Sequence, residues 1–221
     1  MEEIARSLWL VPGRPRHAIN VYLAGDVLVD AGTRWARARI LRALRGRPVA
    51  AHALTHAHAD HQGASAAVCT ALGLPLWCGA ADADAMAAGR LADRAPVNAI
   101  TRIQLRTWAG PAHPVARRLQ DGDAAGEFEV IATPGHSPGH VSYWRAEDRT
   151  LIAGDALFGR DPVTGRPGLH EPPGIFTLDP AANRASIRRL AALRPAVAVF
   201  GHGPPWRDPD GLERFAAGLA G

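Results

Sequence analysis

The segment Thr55–His61, which reads THAHADH, places three histidines and one aspartate within six consecutive positions. Neither packing nor solubility calls for ligand-type side chains at this density. An apolar run precedes the segment and a helical pattern follows it, so we expect the ligands to lie between a strand and a helix. Because residues two apart in an extended chain point the same way, His56 and His58 can share one metal ion. The turn into the helix brings Asp60 and His61 towards a second position.

Three further ligand-type residues follow predicted strands. His136, Asp155 and His202 each come just after an apolar run, and glycines stand close to all three. Glycine allows the backbone to turn sharply and to approach a bound ion. A lone histidine after a strand is more often a surface residue, but here several strand ends agree. Strands hold the loops at one end of a sheet in fixed positions, so we expect a two-metal site at one edge.

The bulk composition indicates a globular protein. The chain has 221 residues, 47% hydrophobic and 21% charged, and we expect one domain spanning residues 1–221. The net charge is +4 and every cation of the Lys and Arg class is a dispersed arginine, which argues against nucleic acid as a partner. No segment is apolar enough to span a membrane, and the acidic start has no secretory signal. We therefore expect a cytoplasmic protein, with Cys69 and Cys78 reduced.

Local patterns predict most of the secondary structure. Alternating apolar residues around Gly25-Asp26 predict a β-hairpin, and Thr33 is expected to cap the helix after it, so the chain opens as strand, strand, helix. Residues 90–120 show no clean period and are predicted as loop and short helix near the site. Trp35, Trp77 and Trp144 are expected in the core. Further strands are predicted at 127–132, 141–145, 150–153 and 196–200, and helices at 80–88, from Asp179-Pro180 onwards and at 210–219.

Four motifs make the chain resemble the metallo-β-lactamase-fold hydrolases. They are THAHADH at 55–61, TPGHSPGH at 133–140, AGDALF at 153–158 and FGHG at 200–203. The resemblance covers nearly the whole chain, and this set of motifs is highly specific. It implies an α/β fold, a four-layer αββα sandwich of two mixed β-sheets between helices, with the metals at one edge.

The resemblance also implies a role for each candidate residue. Two metal positions share a bridging carboxylate, and two further residues support the ligands from behind without binding metal. The first metal takes His56, His58 and His136, the second takes Asp60, His61 and His202, Asp155 bridges them, and Asp30 and His140 give support.

Such a donor set suits two zinc ions per chain, although iron or manganese also fits the mix of nitrogen and oxygen ligands. Two ions ~3.5 to 4 Å apart can lower the pKa of a shared water towards ~7. The expected reaction is therefore hydrolysis of a small ester, thioester or lactone, in which a metal-bridging hydroxide attacks the carbonyl. Asp60 is expected to handle the proton as well as to bind metal.

Differences from other members of the family narrow the expected substrate. Antibiotic-hydrolysing members resemble the chain in the His-rich loop but typically lack a bridging carboxylate, which argues against β-lactams. Glyoxalase II is similar in all the motifs but continues into a helical substrate domain, whereas only a short segment follows His202 here. A small-molecule substrate is expected, and Arg160, His170, Phe176 and Trp206 are candidates for the pocket wall.

Two other functions stay open. Persulfide dioxygenases share the motifs but resemble mononuclear iron enzymes that use only the equivalents of His56, His136 and Asp155. A non-catalytic metal-binding protein is the other alternative. The full ligand set argues against it, because a purely structural site needs no open coordination position. The substrate, the native metal and the oligomeric state are not predicted.

Overall fold

Two large β-sheets lie at the centre of the structure, a computed structural model that describes residues 1–220. Strands β1 to β4 pair antiparallel with their neighbours and β4 to β7 pair parallel, so the first sheet is mixed. Its seven strands follow the order of the sequence: β1 (Glu2–Ala5), β2 (Leu8–Leu10), β3 (Tyr22–Ala24), β4 (Val27–Val29), β5 (Ala51–Ala53), β6 (Leu76–Gly79) and β7 (Arg117–Leu119).

The second sheet is also mixed. Its five strands are β8 (Ala124–Ala125), β9 (Phe128–Ala132), β10 (Val141–Arg145), β11 (Thr150–Gly154) and β14 (Val197–Phe200), and a separate hairpin holds β12 (Phe158–Arg160) and β13 (Pro167–His170). The spatial order is β14, β11, β10, β9, β8, and only the β14–β11 pair is parallel.

Helices cover the outer faces of both sheets. They are α1 (Arg37–Ala43), α2 (Ala59–Gln62), α3 (Ser65–Leu72), α4 (Ala80–Ala88), α5 (Ala99–Thr107), α6 (Pro180–Ala192) and α7 (Pro209–Ala217), with short 3-10 helices at Arg34–Ala36 and Leu91–Arg94. Within residues 1–220, every helix is too short or too polar to cross a bilayer.

Three buried apolar clusters separate four layers. The first cluster lies between the first sheet and α1, α3 and α4, and includes Leu23 and Ile40. The second fills the space between the two sheets, where Tyr22 of the first faces Tyr143 of the second. The third lies between the second sheet and α6 and α7, and includes Leu190. Neighbours such as Tyr22 and Leu23 enter different clusters because successive strand side chains point to opposite faces. The predicted αββα sandwich is confirmed.

Residue chemistry explains where several elements begin and end. Asp179 caps α6 by accepting a hydrogen bond from the Ala182 backbone N–H at 2.9 Å, and Pro180 takes the first helical position. Gly73 ends α3 in the left-handed conformation, with φ of 67°. Gly25 has φ of 57° in the turn between β3 and β4, where the hairpin was predicted.

The N-terminal prediction needs correction. Two strands, β1 and β2, precede the predicted hairpin, so the chain opens with four strands before its first helix. Thr33 stands before the first helical turn but makes no side-chain capping bond. Trp35 is 75% exposed rather than in the core, because its indole lies on the surface and donates to the Thr107 carbonyl at 3.1 Å. Trp144 is buried as expected, and Trp77 is partly buried.

Residues 90–120 contain more regular structure than predicted. Helix α5 begins at a capping box in which the Asn98 side chain accepts from the Thr101 backbone and the Thr101 hydroxyl accepts from the Asn98 backbone. Strand β7 then closes the first sheet at its far edge. Further along the chain, strands β12 and β13 pair as an antiparallel hairpin.

Candidate metal centre

The first sheet carries one half of the candidate site. Strand β5 ends at Ala53, and the next residues, Leu54 to His58, run in extended or irregular conformation before α2. His56 and His58 stand in this connection, and His58 occupies the N-cap position of α2. Asp60 and His61 lie within α2 itself. The change from extended chain to helix therefore separates the two pairs of ligands, as the sequence predicts.

The second sheet carries the other half. His136 follows β9, Asp155 comes directly after β11, and His202 follows β14. His136 and Asp155 are buried, and His202 is partly buried. Each follows a strand whose end reaches the edge where α2 begins. The two sheets thus bring all seven predicted ligands together.

The ligand atoms form three groups in which every atom lies within 4.8 Å of the others. Each group takes two residues from the 56–61 segment and one residue from the second sheet. The groups are His56, His58 and His136; His56, His61 and Asp155; and Asp60, His61 and His202.

Asp155 lies where these groups meet. Its Oδ2 atom is 3.3 Å from the Nε2 of His61, 3.5 Å from that of His136 and 3.2 Å from that of His202. A tetrahedral zinc ion with bonds of ~2.0–2.1 Å holds neighbouring ligand atoms ~3.3–3.4 Å apart. The observed spacing therefore suits ligands of a common ion better than direct hydrogen bonding.

Several buried polar atoms at this place lack a hydrogen-bond partner among the described residues. They are the Nε2 atoms of His56, His61 and His136 and the Oδ1 atom of Asp155. Buried polar atoms without partners are costly, at about 1–3 kcal/mol each. A metal ion bound by these lone pairs removes that cost, so the residues present fit a metal centre.

The charges of the site also suit a cation. Burial lowers the pKa of His56 and of His136 well below the ordinary value for histidine, which leaves their imidazoles neutral and able to bind metal. Burial opposes protonation of His202 too, but Asp155 and Asp60 outweigh it and raise its pKa to about 10. Burial alone would raise the pKa of Asp155, yet His202 and His61 hold it well below its usual range. The Asp60 and Asp155 carboxylates thus favour a positive charge between them.

Asp30 and His140 contact ligands from behind. The Oδ2 atom of Asp30 lies 2.9 Å from the His61 Nδ1, and its Oδ1 accepts from the Thr55 backbone N–H at 2.8 Å. The His140 Nε2 accepts from the Asp155 backbone N–H at 3.0 Å, and burial lowers the pKa of His140 to about 3. Asp30 therefore fixes the ring orientation of His61, and neutral His140 fixes the backbone that carries Asp155.

Asp82, which the sequence patterns do not single out, joins the two ligand-bearing loops. Its buried carboxylate on α4 accepts from the Ala57 backbone N–H at 3.1 Å, between two ligands of the first loop. It also accepts from the Ser137 hydroxyl at 2.7 Å and the Gly139 backbone N–H at 2.9 Å, just after His136. One carboxylate thus ties the THAHADH segment to the TPGHSPGH segment.

Asn20 and Gly201 hold the third loop. The Asn20 side chain donates to the carbonyls of Phe200 and Gly203 at 2.9 and 2.8 Å, on both sides of His202. A Cβ at Gly201 would lie 2.0 Å from the Asp155 Oδ1, so only glycine fits there. The glycine is visible in the sequence, but nothing in the pattern around Asn20 marks its role.

Comparison with known proteins agrees with this architecture. The sequence profile of the metallo-beta-lactamase superfamily matches residues 14–202 of the chain. The chain belongs to the metallo-β-lactamase superfamily. Within this superfamily it is 30% identical over 201 residues to YflN of Bacillus subtilis strain 168, named a probable metallo-hydrolase, with 81% of this chain and 75% of that protein covered.

Two further superfamily members are similar. A hydroxyacylglutathione hydrolase of Rhodospirillum rubrum is 36% identical over 114 residues, which cover 48% of this chain and 41% of that protein. The crystal structure of TTHA1623 in a di-iron-bound form has a TM-score of 0.64 and 33% identity, covering 94% of this chain and 91% of that chain.

A cavity of about 570 Å³ opens beside the candidate metal centre, and the candidate ligands form part of its wall. Phe176 lines it, as the sequence predicts. Arg160, His170 and Trp206 lie outside its lining. His170 and Arg160 belong to the β12–β13 hairpin, and Trp206 packs against the third apolar cluster while its indole donates to the Asp208 carbonyl.

Proposed function

We propose that this protein is a metal-dependent hydrolase that holds two zinc ions and cleaves a small ester, thioester or lactone. The observation that carries the proposal is the position of the Asp155 Oδ2, within 3.2 to 3.5 Å of histidines from both ends of the ligand set. A carboxylate placed in this way can bridge two ions. A mononuclear site would not need the additional group of Asp60, His61 and His202.

The related proteins support hydrolysis and two metal ions. YflN is named a probable metallo-hydrolase, and the Rhodospirillum relative is named for the hydrolysis of a glutathione thioester. TTHA1623 has been observed with two irons. We favour zinc because imidazole and carboxylate donors suit it, and iron is the next candidate because of that neighbour.

In this proposal, His56, His58 and His136 hold one ion, Asp60, His61 and His202 hold the other, and Asp155 bridges them. When bound, a pair of such ions supplies a water of lowered pKa and polarises a carbonyl oxygen. Asp60 lines the cavity, and its side chain is 15% exposed, against 3% for Asp155, the other carboxylate in the lining. It is therefore the carboxylate of the site best placed to take a proton and to pass it to a leaving group.

The surrounding residues keep this arrangement rigid. Asp30 orients His61, His140 holds the backbone of Asp155, and Asp82 fixes the two loops against each other. Pre-organisation of this kind avoids rearrangement during the reaction. The partner is a small molecule, and we infer a reducing compartment such as the cytoplasm because the buried Cys69 and Cys78 are free thiols.

The test is a hydrolysis panel of esters, thioesters, lactones, phosphodiesters and β-lactams, run on protein of measured metal content. We expect turnover of the first three classes with two ions per chain. Asp155→Asn should lose metal and about 10²–10³-fold in turnover. Asp161→Asn is the matched control, because Asp161 lies in an exposed loop and hydrogen-bonds only within it.

Two results would contradict the proposal. One is full metal content and full turnover in the Asp155→Asn variant. The other is wild-type protein with two bound ions that turns over no member of the panel. Oxygen consumption with one iron per chain would instead support the dioxygenase alternative.

A further inference from the structure

The cavity beside the candidate metal centre is walled mainly by apolar side chains from several separate segments. Leu91, Val97, Leu105 and Trp108 come from the region around α5, Ile19 from the N-terminal loop, and Phe176 from the loop before α6. Apart from the candidate metal ligands, Arg102 is the one charged residue in the lining formed by residues 1–220. The volume of about 570 Å³ lies within the ~300–1,000 Å³ of ordinary small-molecule sites.

The polar groups on this wall are few, and one of them is already satisfied. The Thr101 hydroxyl donates to the Pro96 carbonyl at 2.9 Å and accepts from the Asn98 backbone, so it has little capacity left for a ligand. A polar ligand such as a peptide with two carboxylates would find only the Arg102 guanidinium and the Gln104 amide to meet them, apart from the candidate metal ligands. An apolar chain would find hydrocarbon and aromatic surface on most sides.

The edge of the cavity is apolar as well. Val97 is 64% exposed and lines the cavity, and Ile175, next to the lining residue Phe176, is 50% exposed. The Asn98 side chain donates to the Ile175 carbonyl at 2.8 Å, which fastens these two walls together. Exposed apolar side chains at the edge of a cavity favour an apolar occupant that covers them.

We infer that this cavity binds an apolar acyl chain of the substrate and holds its carbonyl carbon at the metal centre. This inference rests on the proposed function and names the substrate class. Water adds across the acyl bond, the bond from the carbonyl carbon to oxygen or sulfur breaks, and a fatty acid and an alcohol or thiol are released. No oxidant or reductant takes part.

The experiment measures kcat/KM for p-nitrophenyl esters and acyl thioesters from acetyl to decanoyl. Each methylene that enters the cavity should raise kcat/KM by about fourfold until the cavity is full. Ala95→Trp places an indole into the cavity wall and should lower kcat/KM for the decanoyl substrate much more than kcat/KM for the acetyl substrate. Ala99→Trp is the matched control, since Ala99 is exposed and not part of the lining.

Binding of 1-octanol, followed by calorimetry, separates the two levels of the proposal. Hydrolysis of short esters with no dependence on chain length, and the same profile in Ala95→Trp, would overturn the acyl-chain inference and leave the proposed function intact. Octanol binding that Ala95→Trp abolishes, with no hydrolysis of any substrate, would refute the proposed function while the apolar site stands. Chain-length dependence that Ala95→Trp shortens and Ala99→Trp preserves is the expected result.

Discussion

Removal of the Asp82 carboxylate should loosen the metal centre although Asp82 is not itself a predicted ligand. In Asp82→Ala, three buried donors lose their acceptor: the N–H groups of Ala57 and Gly139 and the hydroxyl of Ser137. Each unsatisfied buried donor costs about 1–3 kcal/mol. The Arg94 guanidinium, 3.7 Å from the carboxylate, also loses this ion pair but keeps its hydrogen bond to the Ala81 carbonyl. We expect a loss of at least about 3 kcal/mol in the free energy of unfolding.

The same substitution should weaken metal binding, because the two loops that Asp82 joins carry His56, His58 and His136. Loss of a supporting hydrogen bond behind metal ligands typically lowers metal affinity by about 10–100-fold. The assays are urea unfolding of the metal-free protein and competition for metal with a chelator, both at 25 °C. Asp82→Asn keeps one carbonyl oxygen and should fall between wild type and Asp82→Ala.

Asp84→Ala is the control for this experiment. Asp84 lies on the same helix, but its carboxylate is exposed and pairs only with Arg118 on the surface. It should change neither unfolding nor metal affinity measurably. If Asp82→Ala loses stability but binds metal as tightly as wild type, Asp82 serves the fold alone, and the proposed link between the two loops is wrong.

Three further predictions concern other parts of the structure. Gly201→Ala should lose most bound metal and turnover while remaining folded, because its Cβ would lie 2.0 Å from the Asp155 Oδ1. Gly174→Ala is the control, since no atom lies within 4 Å of the new Cβ. Equal metal content in the two variants would contradict this reasoning. Hydrogen bonds from Arg145 hold the pKa of the Asp148 carboxyl below its usual value, so its contribution is present above about pH 4 and disappears as the pH falls through the folded pKa. Asp148→Asn should therefore flatten the loss of unfolding free energy between about pH 5 and 3 in urea titrations, and an unchanged slope would exclude this pair as a source of acid sensitivity. A chelator at neutral pH should lower the thermal unfolding temperature, and free metal at about 1,000 times its Kd should restore about 4 kcal/mol; a transition that does not respond to metal would rule out binding to the folded state.

The sequence identifies the site better than its surroundings. The ligand-type residues carry their chemistry in their side chains and stand beside turn-forming glycines, so the spacing alone indicates where they lie. Asp82 has no such signal. It sits in an Ala-rich helix beside the exposed Asp84, and its partners Ser137 and Gly139 lie more than 50 positions away in the chain. Which of the two aspartates is buried depends on tertiary packing.

The missed elements share a physical cause. Strands β1 and β2 have four and three residues, too few to show alternation clearly. In α5, Ile100 and Ile103 are 48% and 60% exposed, so the apolar residues do not mark a face that meets the core. The N-terminal signal of this helix is also unusual, since its capping box uses threonine in place of glutamate or glutamine. Hydrophobic periodicity reflects which residues are buried. It therefore does not reveal an element whose apolar residues are exposed or whose length is too short to show a pattern.

Every candidate metal group takes two side chains from the segment that follows β5 of the first sheet and one from a loop that follows a strand of the second. Neither sheet alone can therefore offer a complete set of ligands, and metal affinity depends on how well the two halves of the sandwich dock. A substitution in the apolar layer between the sheets, far from any ligand, should then weaken metal binding. For the same reason, a bound ion should stabilise the packing of the two halves of the sandwich at one edge. The concentration of free metal should therefore affect the stability of the packing between the two sheets.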